Sequence, residues 1–202
     1  MKKIGIMGGT FNPIHNAHLV LAEQAYAKYN LDKIIFMPAK KPPHKDSRGL
    51  ATDEHRIEMI RLSIKDNPHF ELSTLEMERD TVSYTAETLR LLTDLYPDTE
   101  FYFIIGGDSL MSLHSWREPE VIFQLSTIIA AGRSGFLSDD VKQEVLRLRK
   151  EYACSIELLE IPNMDISSRS IRSNIERGNS IRYYVPEQVY QYIITHNLYQ
   201  GI

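Results

Sequence analysis

An α/β fold, a Rossmann-like doubly wound parallel sheet, is predicted by two features of this sequence. Short apolar runs typical of β-strands recur along the chain, and patterns typical of helices separate them. A repeated strand–helix–strand alternation gives a parallel sheet that helices cover on both faces. We expect the strand order 3-2-1-4-5 together with a sixth strand, followed by C-terminal helices. The six strand candidates are residues 4–7, 33–37, 70–77, 101–105, 127–131 and 156–161.

The helix boundaries follow from local start and stop signals. Ser138 is a good N-cap, and Pro186 suits the first turn of a helix. Pro97 disfavours the helical conformation of the residue before it, and Gly178 is a typical helix terminator. The first helix is expected to end near Tyr29, and two further helices to cover 85–95 and 138–152. In the tail, one helix is expected from near Ser167 to Gly178 and another from Pro186 to near Asn197.

Size and charge narrow the class of protein. The chain has 202 residues, of which 43% are hydrophobic and 25% charged. Chains of this length commonly bury one core, so we expect a single domain over residues 1–202. The 23 Lys and Arg residues against 27 Asp and Glu give a formal net charge of −4. That balance argues against a non-specific nucleic-acid binder, which needs a net basic face.

The distribution of apolar residues and cysteine indicates the compartment. The longest apolar stretches, residues 101–105 and 128–131, are far shorter than the roughly 20 residues that a membrane helix needs. The N-terminal residues contain no signal-peptide core. Cys154 is the single cysteine, so no internal disulfide can form. We therefore expect a cytoplasmic protein with no membrane or nucleic-acid partner.

The turn after the first strand is the strongest candidate for a phosphate site. It reads GGTFNPIHNAH from Gly8 to His18 and leads into a helix. Glycines allow backbone amides to approach an anion, and a helix N-terminus adds an oriented partial positive charge. Neither GxGxxG in this turn nor GxxxxGK[ST] anywhere is present. Ordinary dehydrogenases and P-loop NTPases are therefore disfavoured.

His15 and His18 lie three positions apart at the start of this helix, so both imidazoles can face one phosphate. Near a helix N-terminus the neutral imidazole is favoured while the site is empty, and an arriving phosphate would favour the imidazolium cation. Two other interpretations remain open at this point. The pair could cap and pack the helix, or it could hold zinc, although it lacks the HExxH spacing.

Two further segments are expected near this turn. A second glycine pair, Gly106-Gly107, follows the fourth strand, which should neighbour the first strand. Both loops would then flank one crevice at the carboxyl ends of the strands. A basic segment with two prolines, residues 40–45, lies in a long connection after the second strand. Connections of that length are usually functional or mobile.

Two signatures carry a resemblance to a known family. The GGTFNPIHNAH segment resembles the GGTFDPxHxGH signature of the nucleotidyltransferase superfamily with the HxGH motif, and residues 166–172 resemble its ISSTxxR element. Residues 42–45, 83–85, 106–108 and Trp116 most resemble the bacterial nicotinate-nucleotide adenylyltransferases. Three positions depart from the pattern, because Asn12 replaces Asp, Ala17 replaces Gly and Ser134 replaces Pro.

The resemblance implies a reaction and a set of residues. Nicotinate mononucleotide and ATP would give nicotinate adenine dinucleotide and pyrophosphate by in-line displacement, without a covalent enzyme intermediate. Mg²⁺ would enter mainly through the ATP phosphates, with no metal site built by the protein. His15, His18 and Arg172 are the implied catalytic residues. The implied ATP-binding residues are Gly8, Gly9, Thr10, Phe11, His15, His18, Gly106, Asp108, Arg133, Ser167, Ser168 and Arg172. The implied nicotinate-nucleotide-binding residues are His44, Lys45, Tyr84, Thr85, Asp108 and Trp116.

Alternatives from other classes remain at this stage. The acceptor could be nicotinamide mononucleotide, phosphopantetheine or choline phosphate instead. A nucleotide sensor without turnover would keep the fold, and a zinc hydrolase would use His15 and His18 as ligands. A preference for the acid over the amide of the nicotinate nucleotide is implied by the resemblance alone. A homo-oligomer is compatible with the sequence.

Overall fold

A parallel sheet forms the centre of the computed structural model, which describes residues 1–40, 49–79, 82–132 and 138–200. Its strands are β1 (Lys2–Gly9), β2 (Lys33–Pro38), β3 (Phe70–Leu72), β4 (Thr99–Gly106), β5 (Thr127–Gly132) and β6 (Ile156–Glu160). Their order in the sheet is β3-β2-β1-β4-β5-β6, and every neighbouring pair is parallel. The predicted order is confirmed, with the sixth strand beside the fifth.

Helices cover both faces of this sheet. They are α1 (Asn16–Tyr29), α2 (Asp53–Ile64), α3 (Thr85–Leu95), α4 (Gly107–Ser112), α5 (Pro119–Leu125), α6 (Asp139–Tyr152), α7 (Ser168–Glu176) and α8 (Glu187–Thr195), with a short 3-10 helix at Leu113–Ser115. The predicted α1, α3, α6, α7 and α8 are confirmed. Three helices were not predicted from the sequence: α2, whose buried face includes the charged Arg56, and the short α4 and α5.

The core consists of two apolar layers, one on each side of the sheet. In β2, Ile34 and Phe36 pack with α1, α2, α7 and α8, whereas Ile35 and Met37 pack with α3 to α6. Successive side chains of a strand point to opposite faces, so a strand covered on both faces is apolar at consecutive positions. The apolar runs of the sequence have this origin.

The third strand is shorter than predicted. The strand candidate covered residues 70–77, but β3 ends at Leu72. The backbone N–H groups of Met77 and Glu78 both donate to the carbonyl of Thr74, so the chain turns there instead of continuing beside β2. The turn brings Glu76 and Met77 to buried positions.

The tail helices follow their sequence signals. The Ser167 hydroxyl caps α7 by accepting from the backbone N–H of Ser170, and Gly178 ends the segment with a positive φ of 70°. In the described part of the chain, no helix is both long and apolar enough to cross a membrane.

Candidate active site

The loop between β1 and α1 lies at the carboxyl edge of the sheet, as the phosphate-site prediction requires. Thr10 is buried, and the ring of Phe11 is almost fully buried with a left-handed backbone φ of 48°. His15 is the N-cap of α1, whose first turn contains no acidic residue. The positive end of the helix is therefore not neutralised from within the first turn.

The two histidines of this loop are stacked. The ring centroids of His15 and His18 are 3.6 Å apart, with an angle of 21° between the planes. The backbone N–H of His15 donates to Nδ1 of His18 over 3.2 Å. Because Nδ1 is an acceptor, the neutral imidazole of His18 carries its proton on Nε2. The capping role considered from the sequence is therefore present, and it orients Nε2–H as a donor.

His15 is the more enclosed of the pair. Its side chain is buried, and its Nδ1 has no hydrogen-bond partner among the described residues. Burial lowers the pKa of His15 to about 4, because removing an imidazolium from water without a partner is unfavourable. The ring is neutral at physiological pH, in agreement with the sequence-based expectation for the empty site.

The low pKa of His15 makes stability depend on pH. In the unfolded chain the His15 imidazole has its ordinary pKa of 6.5 and binds a proton as the pH falls below that value. The folded state takes up this proton only near pH 4. The free energy of unfolding should therefore fall by up to about 3 kcal/mol between pH 6.5 and 4 on account of this group. Urea unfolding of the wild type and His15→Asn at several pH values measures it. Equal slopes in the two proteins would contradict the prediction.

The start of α7 packs against the same loop. The Ser168 hydroxyl donates to the carbonyl of Pro13 over 2.9 Å, and the Arg172 guanidinium donates to the carbonyl of Asn12 over 2.7 Å. These bonds bring the N-terminal end of α7 beside the N-terminal end of α1. Two helix N-termini, a guanidinium and an imidazole N–H donor thus surround one place at the edge of the sheet, which suits an anion.

Asn12 has a structural role that the sequence analysis did not identify. Its amide donates to the carbonyl of Gly49 over 2.9 Å, and its Oδ1 accepts from the backbone N–H of Ala51 and from the Tyr199 hydroxyl, over 3.0 and 2.8 Å. Burial raises the pKa of Tyr199, so this hydroxyl stays a donor. The departure from Asp at this position therefore supplies a hydrogen-bond donor that a carboxylate lacks.

Asn12→Asp should therefore destabilise the protein. A carboxylate can still accept from Ala51 and Tyr199, but it faces the Gly49 carbonyl without a proton to donate. We expect the free energy of unfolding to fall by about 1–3 kcal/mol, measured by urea denaturation. Asn179→Asp makes the same chemical change at an exposed position and is the control. A gain in stability at position 12 would contradict this reading.

A cavity of about 630 Å³ opens beside the first loop. Trp116 forms part of its wall and contacts Phe103 edge to face, with ring centroids 6.2 Å apart. Of the residues expected to bind the nicotinate nucleotide, Tyr84, Thr85 and Trp116 line the cavity. Of the residues expected to bind ATP, Gly8, Gly9 and Thr10 line it.

The second glycine loop lies next to this region without lining the cavity. Gly106 ends β4, which pairs with β1, and it is the N-cap of α4. A Cβ added to Gly106 would meet nothing within 4 Å in the described structure. Asp108 is exposed in the first turn of α4. The remaining expected site residues, His44, Lys45 and Arg133, lie outside the described residues.

Two buried charged residues near the site were missed from the sequence. The Arg56 guanidinium, fully buried, donates to the carbonyls of Thr10 and Ala39 over 2.8 Å each and to Asp53 over 2.6 Å. It thereby joins the ends of β1 and β2. The available signal was its spacing, since Arg56, Ile60 and Ile64 recur every fourth position on the buried face of α2.

Glu76 is the other missed residue, and it lines the cavity. The Thr88 hydroxyl donates to its Oε1 over 2.7 Å, and Ser83 also hydrogen-bonds to its carboxylate. Burial raises the pKa of Glu76 despite these hydrogen bonds and the nearby positive charge of Arg79. No sequence pattern marks this position, because β3 was expected to continue through it.

Metal ligands are not clustered in the parts of the chain that the structure describes. No group of three or more His, Cys, Asp or Glu side chains there could hold a metal ion. The zinc interpretation of His15 and His18 therefore finds no third ligand of these types among the described residues. A metal that arrives on phosphate oxygens needs no such cluster.

Comparisons with known proteins agree with this geometry. Residues 6–174 match the cytidylyltransferase-like family. A probable nicotinate-nucleotide adenylyltransferase of Lachnoclostridium phytofermentans is 51% identical over 98% of this chain and 100% of its own length. Another, of Carboxydothermus hydrogenoformans, is 41% identical over 98% of both chains.

Solved structures show the same fold at lower identity. The nicotinic acid mononucleotide adenylyltransferase of Plasmodium falciparum, complexed with NaAD, has a TM-score of 0.81 at 24% identity and covers 98% of both chains. A putative nicotinate-nucleotide adenylyltransferase of Vibrio parahaemolyticus has a TM-score of 0.71 at 20% identity, covering 100% of this chain and 98% of its own. By its full-length similarity to the curated relatives, this chain belongs to the nicotinate-nucleotide adenylyltransferases of the cytidylyltransferase-like family.

Proposed function

We propose that this chain transfers the adenylyl group of ATP to nicotinate mononucleotide, giving nicotinate adenine dinucleotide and pyrophosphate for NAD biosynthesis. The observation that carries the proposal is the convergence of the N-termini of α1 and α7 beside the cavity that contains Trp116. The two helix N-termini suit the phosphates of ATP, and the cavity has the size of a small-molecule site.

The triphosphate is bound at the two helix N-termini. His18 donates from Nε2, since its Nδ1 is occupied by the backbone N–H of His15. Arg172 uses one of its five donors on the Asn12 carbonyl, and the others serve the β and γ phosphates with Ser167 and Ser168. The amides from Gly8 to Phe11 face the α-phosphate, and Gly106, Asp108 and Arg133 take the adenosine part.

The nicotinate nucleotide occupies the cavity. The pyridine ring stacks against Trp116, with Tyr84 and Thr85 beside it. We assign the binding of its phosphate to His44 and Lys45, as the family resemblance implies, and the binding of a ribose to Asp108. This arrangement holds two substrates in line, so that the phosphate monoester attacks the α-phosphorus and pyrophosphate leaves.

No residue has to deprotonate the nucleophile, because a phosphate monoester is already anionic at neutral pH. Catalysis therefore rests on positioning and on charge stabilisation at the α-phosphate, where His18 acts. His15, neutral and buried, stacks on the ring of His18 and holds the ATP phosphates together with it.

Nucleotidyltransferases that act on ATP generally use a divalent metal, and we propose Mg²⁺. Asp108, an oxygen donor exposed in the first turn of α4, fits a divalent metal that the triphosphate carries. When bound, the ion would neutralise phosphate charge. We further propose that residues 1–202 act as one domain in the cytoplasm.

Pyrophosphate release from Mg-ATP tests the proposal. The acceptors are nicotinate mononucleotide, nicotinamide mononucleotide and phosphopantetheine, each in parallel with a sample that lacks acceptor. We expect strong turnover with the first. Turnover with phosphopantetheine alone would overturn the acceptor assignment, and ATP binding with silence for all three would favour a sensor.

A further inference from the structure

The cavity wall contains little charge. Among its described lining residues, two are charged, namely Glu76 and Arg117. The Glu76 carboxyl accepts hydrogen bonds from Thr88 and Ser83, so it offers lone pairs and repels an anion. Arg117 is therefore the cation that the described wall presents to a ligand in this cavity.

Arg117 is held at the wall by an aromatic ring. Its guanidinium carbon lies 4.4 Å from the ring centroid of Tyr84, and the preceding residue is Trp116. A guanidinium over an aromatic face keeps its N–H donors at the edge of the plane available. The contact orients the guanidinium and leaves its N–H donors available for a ligand.

The two carboxylates near Arg117 are both shared with other cations. Glu118, the next residue along the chain, pairs with Arg90. Glu87 lies 4.0 Å from the Arg117 guanidinium, at the outer limit of an ion pair, and it forms a closer pair with Arg79. Half-exposed pairs of this length contribute little energy. Arg117 can therefore take a second anion at low cost.

We propose that Arg117 is the residue whose side chain makes this enzyme prefer a pyridine carboxylate to a carboxamide. The inference rests on the proposed function, because it places the pyridine ring of the nucleotide in this cavity. A carboxylate gains a charge-assisted hydrogen bond from the guanidinium, and this gain offsets its repulsion by Glu76. A carboxamide has no net charge and gains much less.

Binding affinity, measured by calorimetry, tests the inference separately from turnover. Nicotinate and nicotinamide mononucleotides are titrated into the wild type, Arg117→Gln and Arg117→Lys. We expect Arg117→Gln to weaken binding of the acid by about 10-fold and that of the amide by less than about 2-fold. Arg117→Lys should be intermediate, since it keeps the charge and loses the planar fork.

Arg61→Gln is the matched control. Arg61 has a similar side-chain exposure, 61% against 54% for Arg117, and it pairs with Glu58 outside the cavity lining. Arg61→Gln removes the same charge and should leave the acid-to-amide ratio of affinities unchanged. A wild type that binds both nucleotides equally, or an Arg117→Gln that weakens both by one factor, would overturn the inference. If the acid preference depends on Arg117 but no pyrophosphate is released, the proposed function fails and the inference stands.

Discussion

Replacing His18 with alanine should lower kcat by about 100- to 1,000-fold, the usual cost of losing one donor that stabilises charge in a transition state. The reason is the fixed tautomer: the His15 backbone N–H holds Nδ1 and leaves Nε2–H as the donor that we propose for the α-phosphate. The Michaelis constant for the nicotinate nucleotide should change little, because this donor acts on the other substrate. Steady-state pyrophosphate release measures both quantities.

The variant His18→Asn separates chemistry from capping. Asparagine can accept the N–H of His15 at the start of α1, but it has no imidazole. We expect its thermal stability to be close to that of the wild type and its kcat to be as low as that of His18→Ala. A wild-type rate for His18→Asn would assign the residue to helix capping alone.

Arg56→Met should produce the largest loss of stability. Methionine fills the space but leaves the carbonyls of Thr10 and Ala39 without a donor, and Asp53 without its cation. Breaking a buried charged network by removing one member costs about 3–5 kcal/mol. Urea unfolding, followed by circular dichroism, should show this fall in the free energy of unfolding.

Arg61→Met on the same helix is the control for Arg56→Met. Arg61 is exposed and pairs with Glu58 one turn away, so its loss should cost less than about 1 kcal/mol. If the two variants lose the same stability, the bonds that join β1 and β2 through Arg56 are not important for folding.

Much of the fold could be predicted because its signals are local. Consecutive apolar residues such as 34–37 mark strands that are covered on both faces, and Ser138, Ser167 and Gly178 mark helix ends within one turn. The prediction was wrong where a local signal was ambiguous. Residues 70–77 look like one strand, but the bonds to the Thr74 carbonyl turn the chain after Leu72.

Local sequence likewise predicted one part of the candidate site and not the other. The contiguous run from Gly8 to His18 predicts a phosphate loop, because the glycines, the histidines and the helix start are neighbours in the chain. The cavity residues Tyr84, Thr85 and Trp116 depended on a resemblance. Glu76 and Arg117 carried no signal, since their roles arise only when separate segments form one wall.

By itself, the sequence determined the strand–helix alternation and the two signatures that pack at the sheet edge, since periodicity and short motifs are properties of consecutive residues. The strand order followed from the usual topology of doubly wound sheets. Only the tertiary structure decided how that edge is held together. Asn12 meets Tyr199 across 187 positions, and Arg56 meets Thr10 across 46. Buried polar groups must find partners, and which partners they find depends on the packing of distant segments.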